Sequence, residues 1–262
     1  MLMKRLKRIL ADAYLGIIFL LMYAPIATLM VLSFNSSKSR AKWGGFTLDW
    51  YQKLLDSPEI MEALMNTLSI AFFSALIATV IGTLACIAIN RMRKSTKGLF
   101  LALNNIPLLN GDIVTGISMM LVFIAFGITF GYGSILIAHT TFNIPYVVLS
   151  VLPRLRQTNR STYEAAMDLG AAPVQAFVKV VLPELFPGIL SGFLMAFTMS
   201  LDDFIITHFT KGAGINTLST LIYSEVRRGI QPTMYALSTI MFIAALVLLA
   251  LAGRPKRKKE AV

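Results

Sequence analysis

Long apolar runs separated by short polar stretches dominate this chain. A helix needs ~20 apolar residues to cross a hydrocarbon core of ~30 Å. Six segments meet that length, at about 12–34, 64–89, 99–126, 131–152, 188–210 and 234–253. The pattern predicts an all-α membrane protein of six transmembrane helices, forming a single transmembrane domain over residues 1–262. The third segment is the least uniform, because Asn104, Asn105, Pro107, Asn110, Gly111 and Asp112 interrupt it. Pro and Asn at membrane depth leave backbone groups that need partners, which is tolerable only inside a bundle or beside a cavity. That segment is expected to face protein or a pathway.

Basic residues in the connections set the expected orientation. Seventeen Lys and Arg fall in the N-terminal tail, the second-to-third and fourth-to-fifth connections and the tail from Arg254 to Lys259, against seven on the other side. This asymmetry predicts that both termini are cytoplasmic. The opening MLMKRLKRIL and the apolar run from Ala13 to Phe34 resemble a signal peptide superficially. The run is a full span in length and SFNSS carries no A-x-A cleavage pattern, so it reads as a retained first helix.

Composition removes other classes. Of 262 residues, 56% are hydrophobic and 14% charged, against about 25% charged in soluble domains. The net charge of +11 on so apolar a chain points to cytoplasmic loops and anionic headgroups, and not to nucleic acid. The single Cys86 excludes a disulfide framework and a CxxC metal site. In the first outer loop, 35–63, Trp43, Trp50 and Tyr51 suit an interfacial anchor, with an external partner as the alternative.

The connection 153–187 is too long for an idle bundle loop. Ser161-Thr162-Tyr163-Glu164 fits a capping box with Ser161 as N-cap. A short helix would run to Leu169 and stop at Gly170. Pro173 suits the first turn of a second helix, which Pro183 and Pro187 would terminate. Ala165, Ala166, Leu169, Phe177 and Val181 would supply an apolar face for a partner's groove.

Glu164-Ala165-Ala166, three residues, Gly170, nine residues, Val180, one residue and Leu182-Pro183 resemble the EAA motif of ABC importer permeases, with Val180 where that family usually has Ile. The resemblance implies a type I (MetI-like) permease of the inner membrane. Its loop, through Glu164, Ala165, Ala166, Gly170, Leu182 and Pro183, would couple to a separate ATPase dimer. The chain itself is expected to be non-catalytic and free of cofactors, with ATP and Mg²⁺ on the partner. No Gly-Lys dipeptide occurs in the sequence, so the phosphate-cradling P-loop is missing. HExxH, GxSxG and paired Cys/His clusters are also absent. His139 and His208 read as hydrogen-bonded interior residues.

Asp112, Asp202 and Asp203 are the acids expected inside spans. A carboxylate at the bilayer centre costs at least ~2.5 kcal/mol, so such residues face a pathway or a partner. Counting ~1.5 Å per residue along straight spans puts all three at one level, which suits a cation. Adjacent helical residues point about 100° apart, so one of Asp202 and Asp203 would line the pathway and the other would pair elsewhere. Phe204, Phe197 and Tyr223 are candidates for cation–π contact or for packing.

Phe34-Asn35-Ser36-Ser37, Trp43-Gly44-Gly45-Phe46-Thr47 through Trp50-Tyr51, Asp112-Ile113-Val114 and Ser200-Leu201-Asp202-Asp203 resemble the permeases of spermidine/putrescine importers. The likeness runs from the first span to the sixth and departs at Asn110-Gly111, where the family has Ser-Pro. It implies a second homologous permease, an extracytoplasmic polyamine-binding protein and a polyamine pathway through Asp112, Asp202, Asp203, Phe204 and Tyr223. Permeases for another cationic or small solute share much of this pattern. An ion-coupled secondary transporter, against which the EAA spacing argues, and a structural or assembly membrane protein, which would not need acids at matched depth, are the alternatives from other classes.

Overall fold

The structure, a computed structural model, describes residues 2–252; the basic stretch from Arg254 to Lys259 lies outside them. The described residues are almost wholly helical. In order they are α1 (Leu2–Leu32), α2 (Asp49–Leu55), α3 (Pro58–Arg91), α4 (Lys94–Leu109), α5 (Asp112–Ala125) and α6 (Tyr132–Gln157). Then come α7 (Arg160–Asp168), α8 (Pro173–Ala176), a π-helical turn (Phe177–Val181), α9 (Leu182–Asp202), α10 (Ile205–Thr210), α11 (Leu218–Arg228) and α12 (Pro232–Ala252). Among the described residues, four helical stretches are long and apolar enough to cross a membrane: Asp12–Leu32, Pro58–Arg91, Tyr132–Gln157 and Pro173–Asp202. A fifth results if the bent pair α4–α5 counts as one span.

Two of the expected spans take a different course. The straight helix expected over 99–126 is two helices meeting at 108°. Pro107 cannot donate to the preceding turn, and Asn110 and Gly111 both adopt extended backbone (ψ 148° and 145°). A rise per residue cannot be carried across that bend, so the common depth expected for Asp112 and the 202–203 pair does not follow. The segment 188–210 also breaks, since α9 ends at Asp202 and α10 restarts at Ile205.

The chain divides into two compact units, residues 1–61 with 222–262, and residues 62–221. In the first, α12 packs with α1 and α2. The loop between α1 and α2 is tied by Asn35, whose Oδ1 accepts from the amides of Ser37 (3.1 Å) and Gly44 (2.8 Å) and whose Nδ2 donates to the Lys42 carbonyl (2.9 Å). Trp50 Nε1 donates to the Asn35 carbonyl at 2.8 Å, and Tyr51 shares a 2.7 Å hydrogen bond with Ser33. Trp50 is therefore buried and Tyr51 half-buried. Of the three aromatic residues expected at the interface, Trp43 is the exposed one.

In the second unit, α6 lies along α9, and α5 packs on α10. Small residues let the helices approach: Ala75, Ala78, Cys86 and Ala196 surround Val147, Val148 and Val151. A Cβ at Gly82 would sit 2.8 Å from Val147 Cγ1, and one at Gly192 would sit 3.2 Å from Val147 Cα. Apolar helices in lipid associate through such close packing.

Candidate functional site

Two constellations in the second unit bear on function. The first is the hairpin that follows α6. Asn159, not Ser161, caps α7, accepting from the Ser161 amide at 3.1 Å. Asn ranks with Ser as an N-cap, and the cap takes the residue whose backbone is extended, Asn159 at ψ 119°. Gly170 closes the helix at φ +89°. Its amide donates to Met167 O (2.9 Å) and that of Ala171 to Ala166 O (3.1 Å), the two bonds of a Schellman turn.

Pro183 and Pro187 do not end the second helix as expected. From Pro173 the helix continues to Asp202 over 30 residues. Leu182 N–H reaches back to Phe177 O, a five-residue step that widens the turn where the Pro183 ring would otherwise strike the preceding turn. Along this hairpin Leu169 and Val174 are 90% and 73% exposed, with Glu164, Ala165 and Pro183 also at the surface and Ala166 and Leu182 partly covered. Phe177 and Val181, expected on the outer face, turn inward and line a cavity of about 640 Å³. Val174 and Val178, four residues apart, supply the outward apolar face instead; that spacing was the available signal.

The second constellation is a buried polar chain joining four helices. Asn143 Nδ2 donates to Ser74 Oγ (3.4 Å), and Ser74 and Ser200 hydroxyls meet at 3.2 Å. His139 Nδ1 lies 2.5 Å from Ser200 Oγ, and its Nε2 lies 2.8 Å from Thr207 Oγ1. Thr207 Oγ1 donates to Asp203 Oδ2 at 2.8 Å. With that proton committed, Thr207 Oγ1 accepts from His139 Nε2–H, and Nδ1 is left facing the Ser200 hydroxyl. The bonds from His139 to Thr207 and from Thr207 to Asp203 run the same way, toward the carboxylate, an arrangement in which successive bonds reinforce one another.

Asp203 is an anchor. Its carboxylate also accepts from the amides of Ile206 (3.2 Å) and Thr207 (2.8 Å), opening α10, and it stands 3.3 Å from His139 Nε2. Its carbonyl accepts from Ser219 Oγ at 2.7 Å. Asp202, one residue earlier and still on α9, has an exposed side chain. Asp112 is exposed too, in the first turn of α5, where a carboxylate complements the helix dipole.

The aromatic candidates separate. Phe204 stands at the start of α10, its ring 5.3 Å from His208. Phe197 stacks on Phe193 at 6.1 Å and packs on the core. Tyr223 belongs to the first unit, with the Arg227 guanidinium 5.7 Å from its ring centre. His139 is an interior residue as expected, whereas His208 is exposed in this chain. Ser74, Asn143 and Thr207 escaped the sequence reading, and Ser200 entered it only within a stretch of family resemblance; the four-residue spacing of His139 and Asn143 on an apolar helix was the available trace. Among the described residues no group of three His, Cys, Asp or Glu is arranged to hold a metal ion.

Residues 78–254 match the family described as the binding-protein-dependent transport system inner membrane component. The chain belongs to this family of ABC importer permeases. The permease is 36% identical to the spermidine/putrescine transport system permease protein PotC of Haemophilus influenzae, over 96% of this chain and 98% of that one. It is 40% identical to the putrescine transport system permease protein PotI of Escherichia coli strain K12, over 85% and 82%. Its fold matches a bacterial ABC transporter involved in alginate import with a TM-score of 0.71 at 18% identity, covering 98% of each chain. The MetNI methionine ABC transporter matches at 0.59 and 20%, over 75% of this chain and 95% of the other. The permease is thus a multi-pass inner-membrane subunit of a binding-protein-dependent importer. Permeases of this family are non-catalytic, and ATP is hydrolysed on a separate subunit.

Proposed function

We propose that this permease carries polyamines, spermidine and putrescine, inward across the membrane. The observation that carries the reading is the 36–40% identity, over most of the chain, to permeases named for those two cargoes. The site chemistry agrees with a cationic cargo. Asp202 sits exposed on the last turn of α9, where the negative end of a helix dipole adds to its carboxylate. Asp112 contributes a second exposed carboxylate beside the break between α4 and α5. Broken helices flanking a pathway are a recurrent means of holding an ion there weakly enough to release it. Phe204 offers an aromatic face to an ammonium group.

The working assembly in this reading pairs the permease with a second, homologous permease, two ATPase subunits and an external polyamine-binding protein. The chain crosses six times with both termini cytoplasmic, the bent pair α4–α5 forming the third crossing. The hairpin through Glu164, Ala165, Ala166, Gly170, Leu182 and Pro183 seats in a cleft of the ATPase, Leu169 and Val174 supplying the apolar contact. ATP binding draws the two hairpins together and favours the outward-open bundle, and hydrolysis restores the inward-open one; coupling requires only that nucleotide stabilises one of two states more than the other. Uptake of labelled spermidine and putrescine, in cells with the gene deleted and then restored, tests the proposal. Loss and recovery of uptake are expected, and unchanged uptake where no redundant system operates overturns the polyamine cargo.

A further inference from the structure

The cavity of about 640 Å³ beneath the hairpin has no part in the transport reading. One wall is the ends of α3 and α6 and the other is the hairpin itself, through Tyr163 and Phe177. Its polar lining is Asn90, Arg91, Thr158, Asn159 and Tyr163, which holds one full positive charge and no acid. Lys97 Nζ donates to Asn90 Oδ1 at 3.0 Å, bringing a second positive charge beside the lining. Asn159 spends its Oδ1 on capping α7, so its amide NH₂ is the half that remains to donate. A cavity so equipped selects an anion rich in acceptors. The rest of the lining is apolar, with Ile87 one turn inside Arg91 on α3 and Val181 opposite. Arg91 ends an unbroken apolar helix, the position of a membrane–water boundary.

We propose that this cavity binds the phosphate headgroup of an anionic phospholipid, its acyl chains leaving past Ile87 into the bilayer. Basic pockets between helices at a membrane face take such headgroups. A headgroup there touches α3 and the coupling hairpin at once, so its presence biases where the hairpin stands. The inference borrows only the identity of the leaflet from the proposed orientation, and its test needs neither cargo nor orientation.

The test is native mass spectrometry of the intact importer, purified through a tag on this chain and exchanged into nanodiscs of phosphatidylcholine with or without phosphatidylglycerol. One phosphatidylglycerol retained per copy of this chain is expected, held at least about fivefold better than phosphatidylcholine. Arg91→Gln and the cavity-filling Ile87→Trp should each remove that preference. Equal retention of the two lipids by the unaltered protein, or unchanged preference in both variants, overturns the site. Displacement of the lipid by equimolar sn-glycerol 1-phosphate would overturn the lipid as occupant in favour of a free phosphate ester. If a variant fails to assemble with its ATPase, the comparison of lipids in the unaltered importer still decides.

Discussion

Asp202 and Asp203 are neighbours in sequence with opposite surroundings. Asp203 accepts two amides and a hydroxyl and faces His139, so its charge is committed to holding α10 against α6. Asp202 has none of these partners and is exposed. Asp202→Asn should therefore leave thermal unfolding of the purified permease unchanged while polyamine uptake falls about tenfold, equivalent to ~1.4 kcal/mol at the barrier. Asp203→Asn should do the reverse in order of cause, lowering stability by about 2 kcal/mol through its weakened charged hydrogen bonds, with uptake lost as a consequence. A thermal scan of both variants beside an uptake assay separates them; equal melting points would show that Asp203 anchors nothing. Sequence made both acids visible because carboxylates are rare in apolar runs. It left their division open, since that depends on the helix ending between them and on a histidine over sixty residues away.

At the scale of elements, the hairpin was the most legible part of the chain and the bent segment the least. Gly170 announces its left-handed turn because a Cβ there is penalised whatever its neighbours. A Cβ at Gly170 would meet nothing within 4 Å, so Gly170→Val acts through backbone conformation alone, at a cost of about 1–2 kcal/mol. Hydrogen exchange should then quicken at the Gly170 and Ala171 amides, and transport-coupled ATP hydrolysis should drop while basal hydrolysis by the ATPase persists. Asn159→Ala should loosen the other end of α7 by about 1 kcal/mol, read in the same exchange experiment at Ser161. The cap itself was misassigned by two residues because both Asn159 and Ser161 are competent, and only the course of the chain from α6 chooses between them. Pro183 misled for a related reason. Proline forbids a regular turn, but a π turn immediately before it removes the conflict, and local sequence does not announce that remedy.

For the whole molecule, apolar patterning gave the helical class and most of the long helices, while close packing among them rests on small residues with little signal of their own. Gly192→Leu would thrust a side chain into Val147 on α6, and overpacking of this kind costs about 1–3 kcal/mol; reduced yield of assembled importer on size exclusion is the expected outcome. Orientation is checked by labelling. In a Cys86→Ala background, Arg40→Cys should react with a membrane-impermeant maleimide in intact cells, and Lys97→Cys only after permeabilisation; the opposite pattern would invert the proposed topology. One feature bears on how far a signal from ATP can travel. The helix from Pro173 to Asp202 is unbroken, about 45 Å at 1.5 Å per residue. In the proposed assembly the same rod begins at the apolar face that meets the motor and ends at the exposed carboxylate that meets the cargo. Pivoting about its packed middle, near Gly188, a tilt of about 10° swings each end by roughly 4 Å in opposite senses. In the proposed assembly the ATPase need not send a conformational message through the bundle at all, because it would hold the other end of the helix that carries Asp202.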